Sequence, residues 1–202
     1  IIADLALLDL PVRVVPLPTF FSPAQIAHVF AQAQVDTVLA SGVVLQSFPE
    51  ISLEKIQTVD AVHDVALARV AGAVPAEKSA FCSGDFSTYE KITFTSGSTG
   101  TAKGVRLSLT TLESTAQAIA AALQPLSVES HLGVLPFATL LENIAGLYAP
   151  LLQGVRIHVR SLAQLGLASP EQFNPFLLLN EIQNVKPHAT ILVPQLLLAL
   201  VS

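Results

Sequence analysis

The sequence predicts an α/β fold, with largely parallel sheet layers and flanking helices. Apolar runs of four to seven residues alternate with longer stretches whose apolar residues recur at helical spacing. At 202 residues the chain has the length of one large domain, able to bury roughly 70% of its unfolded surface. A Ser/Thr/Gly cluster follows one of the expected strands, and the carboxyl ends of strands are where open α/β sheets bind ligands.

Taken in order, Ile1 to Leu10 is expected to be helical and Val12 to Leu17 a strand. Ser22-Pro23-Ala24-Gln25 supplies the N-cap, first-turn proline and N3 glutamine of a capping box. Ile26, Val29, Phe30 and Ala33 form the apolar face of that helix, which ends near Gln34. Strands are expected at Thr37 to Ala40, Val65 to Val70 and Lys91 to Thr95, whereas Ser41 to Asp64 carries no clear period. Ala71 to Ser87 is rich in Gly, Pro, Ser and Ala and reads as a surface connection. Thr110 to Leu123 is a helix with Leu112, Ala116, Ile119, Ala120 and Leu123 on one side. The alternation resumes with a strand at Leu132 to Pro136, a helix at Leu140 to Leu152 and a strand at Val155 to Val159. A helix near Phe176 to Asn184 and a strand at Thr190 to Val193 complete it.

Hydrophobic residues make up 51% of the chain and charged ones 12%, against a usual charged share of about a quarter, so a neighbouring part is expected to cover some of this surface. Leu132 to Leu141 and Ile191 to Val201 are shorter than a span of about 20 residues and are read as buried core, not as transmembrane segments. The net charge of −5 and the scatter of ten Lys and Arg leave no footprint for nucleic acid or anionic lipid. The single cysteine, Cys82, excludes an internal disulfide and a thiolate zinc site, and reads as a small buried hydrophobe. The chain opens at Ile1 without a signal or transit peptide and contains no methionine. A cytoplasmic protein, present here as a portion of a longer polypeptide, is the expectation. His28, His63, His131, His158 and His188 show no metal-ligand spacing, and structural roles are preferred for all five.

The cluster after Lys91-Ile92-Thr93-Phe94 runs Thr95-Ser96-Gly97-Ser98-Thr99-Gly100-Thr101-Ala102-Lys103-Gly104. Gly97 and Gly100 permit positive φ and put no side chain in the way, so successive N–H groups can face one anion. Thr95, Ser96, Ser98, Thr99 and Thr101 add hydroxyl donors, and Lys103 adds a charge suited to phosphate oxygens. A polyphosphate cradle between a strand and the helix at Thr110 is predicted. It is not a Walker A loop, because Ala102 and Gly104 stand where that pattern requires Gly and Ser/Thr. The dinucleotide fingerprint is excluded as well, since the glycines fall at 97, 100 and 104. Ser96 and Ser98 lack the G-x-S-x-G elbow of a nucleophilic serine.

Phe94 to Val105 resembles the signature loop of the adenylate-forming superfamily, which includes acyl-CoA synthetases, luciferases and nonribosomal adenylation domains. Ala102 departs from that loop, where proline is usual, and a looser loop is expected there. The resemblance implies that residues 95–104 hold the β- and γ-phosphates of ATP while a substrate carboxylate attacks the α-phosphate. It implies Thr95 as a hydroxyl ligand of Mg2+ and Lys103 as the basic residue of the loop. Leu135-Pro136-Phe137-Ala138-Thr139-Leu140-Leu141-Glu142-Asn143 is similar to the acyl-pocket segment of long-chain acyl-CoA synthetases, with Thr139 at a usual His position and Asn143 at a usual Arg position. Phe137 and Thr139 are therefore candidate substrate-pocket residues, with ordinary strand-end packing as the alternative. Glu142 is expected to complement a helix dipole.

The resemblance further implies coenzyme A as the acceptor and a carboxylic, fatty acid as the substrate. A later Gly-x-Thr-Glu motif, a ribose-binding aspartate and a C-terminal lysine domain, which such a ligase needs, are not legible in these residues. Residues 1–202 are therefore expected to be part of a large N-terminal AMP-binding domain, inactive alone, with no catalytic residue of its own and with the remainder of the polypeptide as its partner. An acyl-AMP ligase or an adenylation domain that loads a carrier protein, a non-catalytic nucleotide-binding module, and a scaffold carrying a relic loop are the alternatives.

Overall fold

The computed structural model describes residues 1–18, 20–46, 51–60, 64–72, 88–95, 102–167 and 173–201. In chain order the elements are α1 (Ile2–Ala6), β1 (Arg13–Val14), α2 (Pro23–Ala33), β2 (Thr37–Ser41), α3 (Gly42–Gln46), β3 (Leu53–Asp60), β4 (Val65–Val70) and β5 (Glu90–Thr95). They continue with β6 (Lys103–Ser108), α4 (Leu109–Leu123), β7 (Ser130–Leu132), α5 (Leu140–Asn143), α6 (Ala149–Leu152), β8 (Arg156–His158), α7 (Pro175–Val185), β9 (Ala189–Thr190) and α8 (Pro194–Val201). The chain divides into two units, one made of Asp9–Leu17 and Phe21–Arg106, the other of Ile1–Leu8, Pro18–Phe20 and Leu107–Ser202.

The first unit is organised around α2. Ser22 Oγ accepts the Gln25 N–H at 3.3 Å and Gln25 Oε1 accepts the Ser22 N–H at 2.8 Å, the reciprocal box the sequence predicts. Gln34 ends the helix in the left-handed region at φ +48° and returns its N–H to Phe30. Two apolar clusters meet this helix. Val29 and Ala33 pack with Phe21, Ile92, Phe94 and Ala102, while Phe30 packs with Val38, Leu45, Ala66 and Ala68.

Two sheets supply Ile92, Phe94, Val38, Ala66 and Ala68 among those partners, in strand orders β1-β5-β6 and β2-β4-β3. β1 and β5 are parallel, with Arg13 opposite Glu90. The other sheet corrects the largely parallel expectation, because both of its pairings are antiparallel. Only residues 61–64 separate β3 from β4, whereas a parallel crossover needs about a dozen, so the chain must double back. β3 lies in the stretch without a clear period. Its pairing with β4 shifts register between Glu54 and Gln57 and again between Thr58 and Asp60, and such irregularities break the alternation by which a strand is recognised.

In the second unit β7 is flanked by β8 and β9 in a fully parallel sheet, the layer type the sequence predicts. Leu132 and Val134 pack there with Leu165, Leu178 and Leu196. Ser108 Oγ caps α4 by accepting the Thr111 N–H at 3.2 Å, and Leu112, Ala116 and Ala120 are its buried stripe. Leu140 to Leu152 is helical as expected, but it runs α5, a π segment at Ile144–Tyr148, then α6. Within the π segment the Ala149 N–H reaches the Ile144 carbonyl, five residues back. Ile191 to Val201 is not the buried core expected of it. α8 buries Leu196 and exposes Leu197, Leu198 and Val201, the one-sided pattern of a surface helix. No helix among the described residues is long and apolar enough to cross a membrane.

Candidate functional site

β5 is the central strand of its sheet, and Lys91, Ile92, Thr93 and Phe94 are buried in succession. Thr95, at its carboxyl end, is exposed, and so is Lys103 at the start of β6. The loop is therefore strand–loop–strand. The sequence places it directly before the helix at Thr110, but β6 intervenes, so the two ends of the loop are held by neighbouring strands and not by a helix N-terminus. Ser96, Gly97, Ser98, Thr99, Gly100 and Thr101 lie outside the described residues.

Three contacts fix the outgoing limb of this loop. Ala102 is 3% exposed within the Val29–Ile92–Phe94 cluster. Its carbonyl lies 3.0 Å from Nε2 of His28, on α2. Gly104 is pressed onto β5: a Cβ there would stand 2.9 Å from Cγ2 of Ile92 and 3.0 Å from the Phe94 ring, so only glycine permits the approach. The methyl group and carbonyl of Ala102 are thus both engaged, while the loop residues before it, on which the looser loop is expected, lie outside the described residues.

At the other end of β5, about 16 Å away for a strand of this length, Glu90 joins all three strands. Its Oε2 accepts from Arg13 Nε and its Oε1 from Arg106 Nε, both at 2.7 Å. Partial burial raises the pKa of this carboxyl. The hydrogen bonds and charges of Arg106 and Arg13 outweigh that effect and hold it below the ordinary 4.5.

The second unit carries the other candidates. Thr139 precedes α5 and donates its hydroxyl to the Pro136 carbonyl at 2.7 Å, while the Phe137 ring packs over Gly133, where a Cβ would come within 2.9 Å of it. Glu142 stands in the first turn of α5, where the sequence reads it as a complement to the helix dipole, but it is fully buried. Its Oε1 lies 3.1 Å from Nε2 of the buried His131, and its Oε2 accepts the Leu135 N–H at 3.3 Å. Gly133 and Gly146 leave room for this pair, since a Cβ at Gly146 would overlap the Glu142 carboxylate and approach His131 Nε2 at 2.9 Å. One carboxylate thus ties β7, the Leu135-to-Thr139 segment and α5 together. Asn143 Nδ2 and Tyr148 Oη both donate to Asp4 Oδ2, at 3.0 and 2.6 Å. These donors are five residues apart, which in an α-helix points them about 140° apart; the π segment brings both to one oxygen.

A model of the AMP-binding enzyme family matches residues 1–202, the whole of this chain. The chain belongs to the AMP-binding enzyme family. Membership makes it part of an adenylate-forming enzyme that uses ATP and activates an acid, in agreement with the resemblance of residues 94–105. None of the curated proteins matches the chain. In this AMP-binding enzyme the loop ends Thr95 and Lys103 are brought to neighbouring strands in one unit, whereas Phe137 and Thr139 belong to the other. A cavity of about 330 Å3 lies beside α2, lined by Ala27, Phe30, Val35, Ile51 and Val70 among others; neither Thr95 nor Lys103 lines it. Among the described residues no group of three or more His, Cys, Asp or Glu is placed to hold a metal ion. Among the described loop residues Thr95 offers a hydroxyl, and magnesium commonly takes its remaining ligands from phosphate and water.

Two features of this AMP-binding enzyme were not legible from spacing: the His28 link to Ala102 and the His131–Glu142 pair. The second had a signal. Residues 142–149 are apolar nearly all round, which marks a buried helix, and a carboxylate inside one requires a partner.

Proposed function

We propose that residues 95–104 hold the β- and γ-phosphates of ATP during adenylation of a carboxylic acid, a fatty acid by the resemblance of residues 135–143. The acid's carboxylate attacks the α-phosphorus, the bond to the bridging oxygen breaks, and pyrophosphate leaves with the electron pair. Attack by one anion on another needs charge neutralisation and positioning, which Lys103, the hydroxyls of Thr95, Ser96, Ser98, Thr99 and Thr101, and the N–H groups around Gly97 and Gly100 supply. Thr95 contributes a hydroxyl to the Mg2+ that accompanies the nucleotide. Phe137 and Thr139 line part of the acid site, and coenzyme A takes the acyl group in a second step. The remaining machinery belongs to other residues of the same polypeptide, so residues 1–202 alone do not turn over.

The observation that carries this reading is the pairing of β5 with β6, which sets the ends of a Ser/Thr/Gly-rich loop side by side with Thr95 and Lys103 exposed. Carboxylate-dependent pyrophosphate exchange in the polypeptide that carries this chain tests it. Lys103→Ala is expected to lower exchange by about 100-fold, the size of effect found on removing one stabilising donor. Thr95→Ala should raise the magnesium concentration needed for half-maximal exchange. Exchange unchanged in both variants would remove the assigned roles. A panel of acids of graded chain length reads out the substrate. Replacing coenzyme A by a carrier-protein thiol distinguishes the two acceptor classes.

A further inference from the structure

His28 sits on α2, 74 residues from Ala102 in sequence, with its Nε2 3.0 Å from the Ala102 carbonyl oxygen. A carbonyl only accepts, so Nε2 carries the proton and donates. Ala102 is the last residue before Lys103, and its methyl group is already buried against residues of α2 and β5. The rotation left to this peptide is the one that tilts its carbonyl, and with it the direction in which β6 and the Lys103 side chain set out. His28 holds that rotation. α2 is itself fixed at both ends, by its capping box and by Gln34 in the left-handed region, and it is packed along Val29 and Ala33. The imidazole is therefore presented from a rigid support.

We propose that His28 is a positioning residue for nucleotide binding: its Nε2–H to Ala102 carbonyl bond orients the outgoing limb of the phosphate loop, and so Lys103, before ATP arrives. Both the neutral Nε2–H form and the imidazolium carry the donated proton, so the bond is a constant restraint and not a protonation switch. The inference rests on the phosphate-loop reading above and adds to it a residue that touches neither nucleotide nor acid. Without the tether ATP must itself order the limb, and that ordering free energy is subtracted from its binding.

The test compares His28→Phe, which keeps a ring and loses the donor, with His28→Gln, whose amide nitrogen reaches a similar distance and donates. Both are made in the full polypeptide. His28→Phe is expected to raise the KM for ATP by about three- to tenfold, the range of one hydrogen bond, leaving the KM for the acid unchanged. His28→Gln should restore most of the loss. Hydrogen exchange of the peptide containing Ala102 to Val105, measured without nucleotide, should be faster in His28→Phe than in the wild type and restored in His28→Gln. That readout does not depend on activity. The proposal is overturned if the KM for ATP and the exchange of that peptide are the same in His28→Phe as in the wild type, or if His28→Gln is as impaired as His28→Phe. Lys103→Ala, run alongside, separates the two levels. If it raises the KM for ATP and His28→Phe does not, only the tether falls; if neither moves it, the phosphate-loop reading falls and takes the tether with it.

Discussion

Replacing Glu142 by alanine removes a carboxylate that is fully buried and leaves two polar groups without their acceptor, His131 Nε2 and the Leu135 N–H. Each orphaned group costs about 1–3 kcal/mol, and breaking a buried pair from one side costs about 3–5 kcal/mol, so a loss of about 3–5 kcal/mol is expected. Glutamine is the control. Its Oε1 can accept the Leu135 N–H while its amide donates to His131 in the other tautomer, so Glu142→Gln should cost about 1 kcal/mol. Urea unfolding followed by circular dichroism reads the difference. With a slope of about 2.5 kcal/mol per M, alanine should lower the midpoint by about 1–2 M and glutamine by under about 0.5 M. A double cycle with His131→Ala should return a coupling of about 1–3 kcal/mol. Alanine within about 1 kcal/mol of wild type, or glutamine as costly as alanine, would refute the claim that this carboxylate is the tie between β7 and the Leu135-to-Thr139 segment.

Glu90 sets an acid limit: its folded pKa lies below the ordinary 4.5, so its contribution is fully present above that value and is lost as pH falls from 4.5 through the folded pKa. Glu90→Gln should flatten this part of the stability profile while leaving its slope above pH 6 unchanged, as urea midpoints at several pH values would show. Gly104→Ala should cost about 1–2 kcal/mol, because overpacking against Ile92 and Phe94 exceeds the entropy gained from alanine; a stability equal to wild type would contradict the tight β5–β6 approach. Ser22→Ala should cost about 1 kcal/mol and Ser22→Gly only a few tenths, the ranking expected of an N-cap.

What the sequence made legible was local. The capping box at Ser22, the end of its helix near Gln34, the stripe of Leu112, Ala116 and Ala120, and the strands at Thr37, Val65 and Lys91 all follow from neighbours within one or two turns. The loop was recognisable for the same reason, its residues being contiguous. β6 escaped although Val105 and Leu107 alternate with Arg106 and Ser108, because the run is short, mostly exposed and continues directly from the Ser/Thr/Gly cluster. β3 escaped because its register shifts. His28 and Glu142 were assigned plain roles because their partners are set by the fold: Ala102 is 74 residues from His28, and His131 meets Glu142 only once β7 packs beside α5. Spacing along the chain carries no record of such pairs.

The π segment at Ile144–Tyr148 carries one residue more than an α-helix needs to bring Asn143 and Tyr148 to one face. Deleting one residue between Asn143 and Tyr148 would restore an ordinary α-helical repeat, and a regular helix is intrinsically no worse than a widened one. Tyr148 would then stand four residues after Asn143, about 40° round the helix, so both donors would still face Asp4 and the turns from Ala149 onward would keep their direction. Exposed positions such as Leu141, Leu151 and Leu152 should accept many replacements. Among related chains, variation in this helix is therefore expected to include a single-residue gap at the widened turn as well as exchanges of side chains.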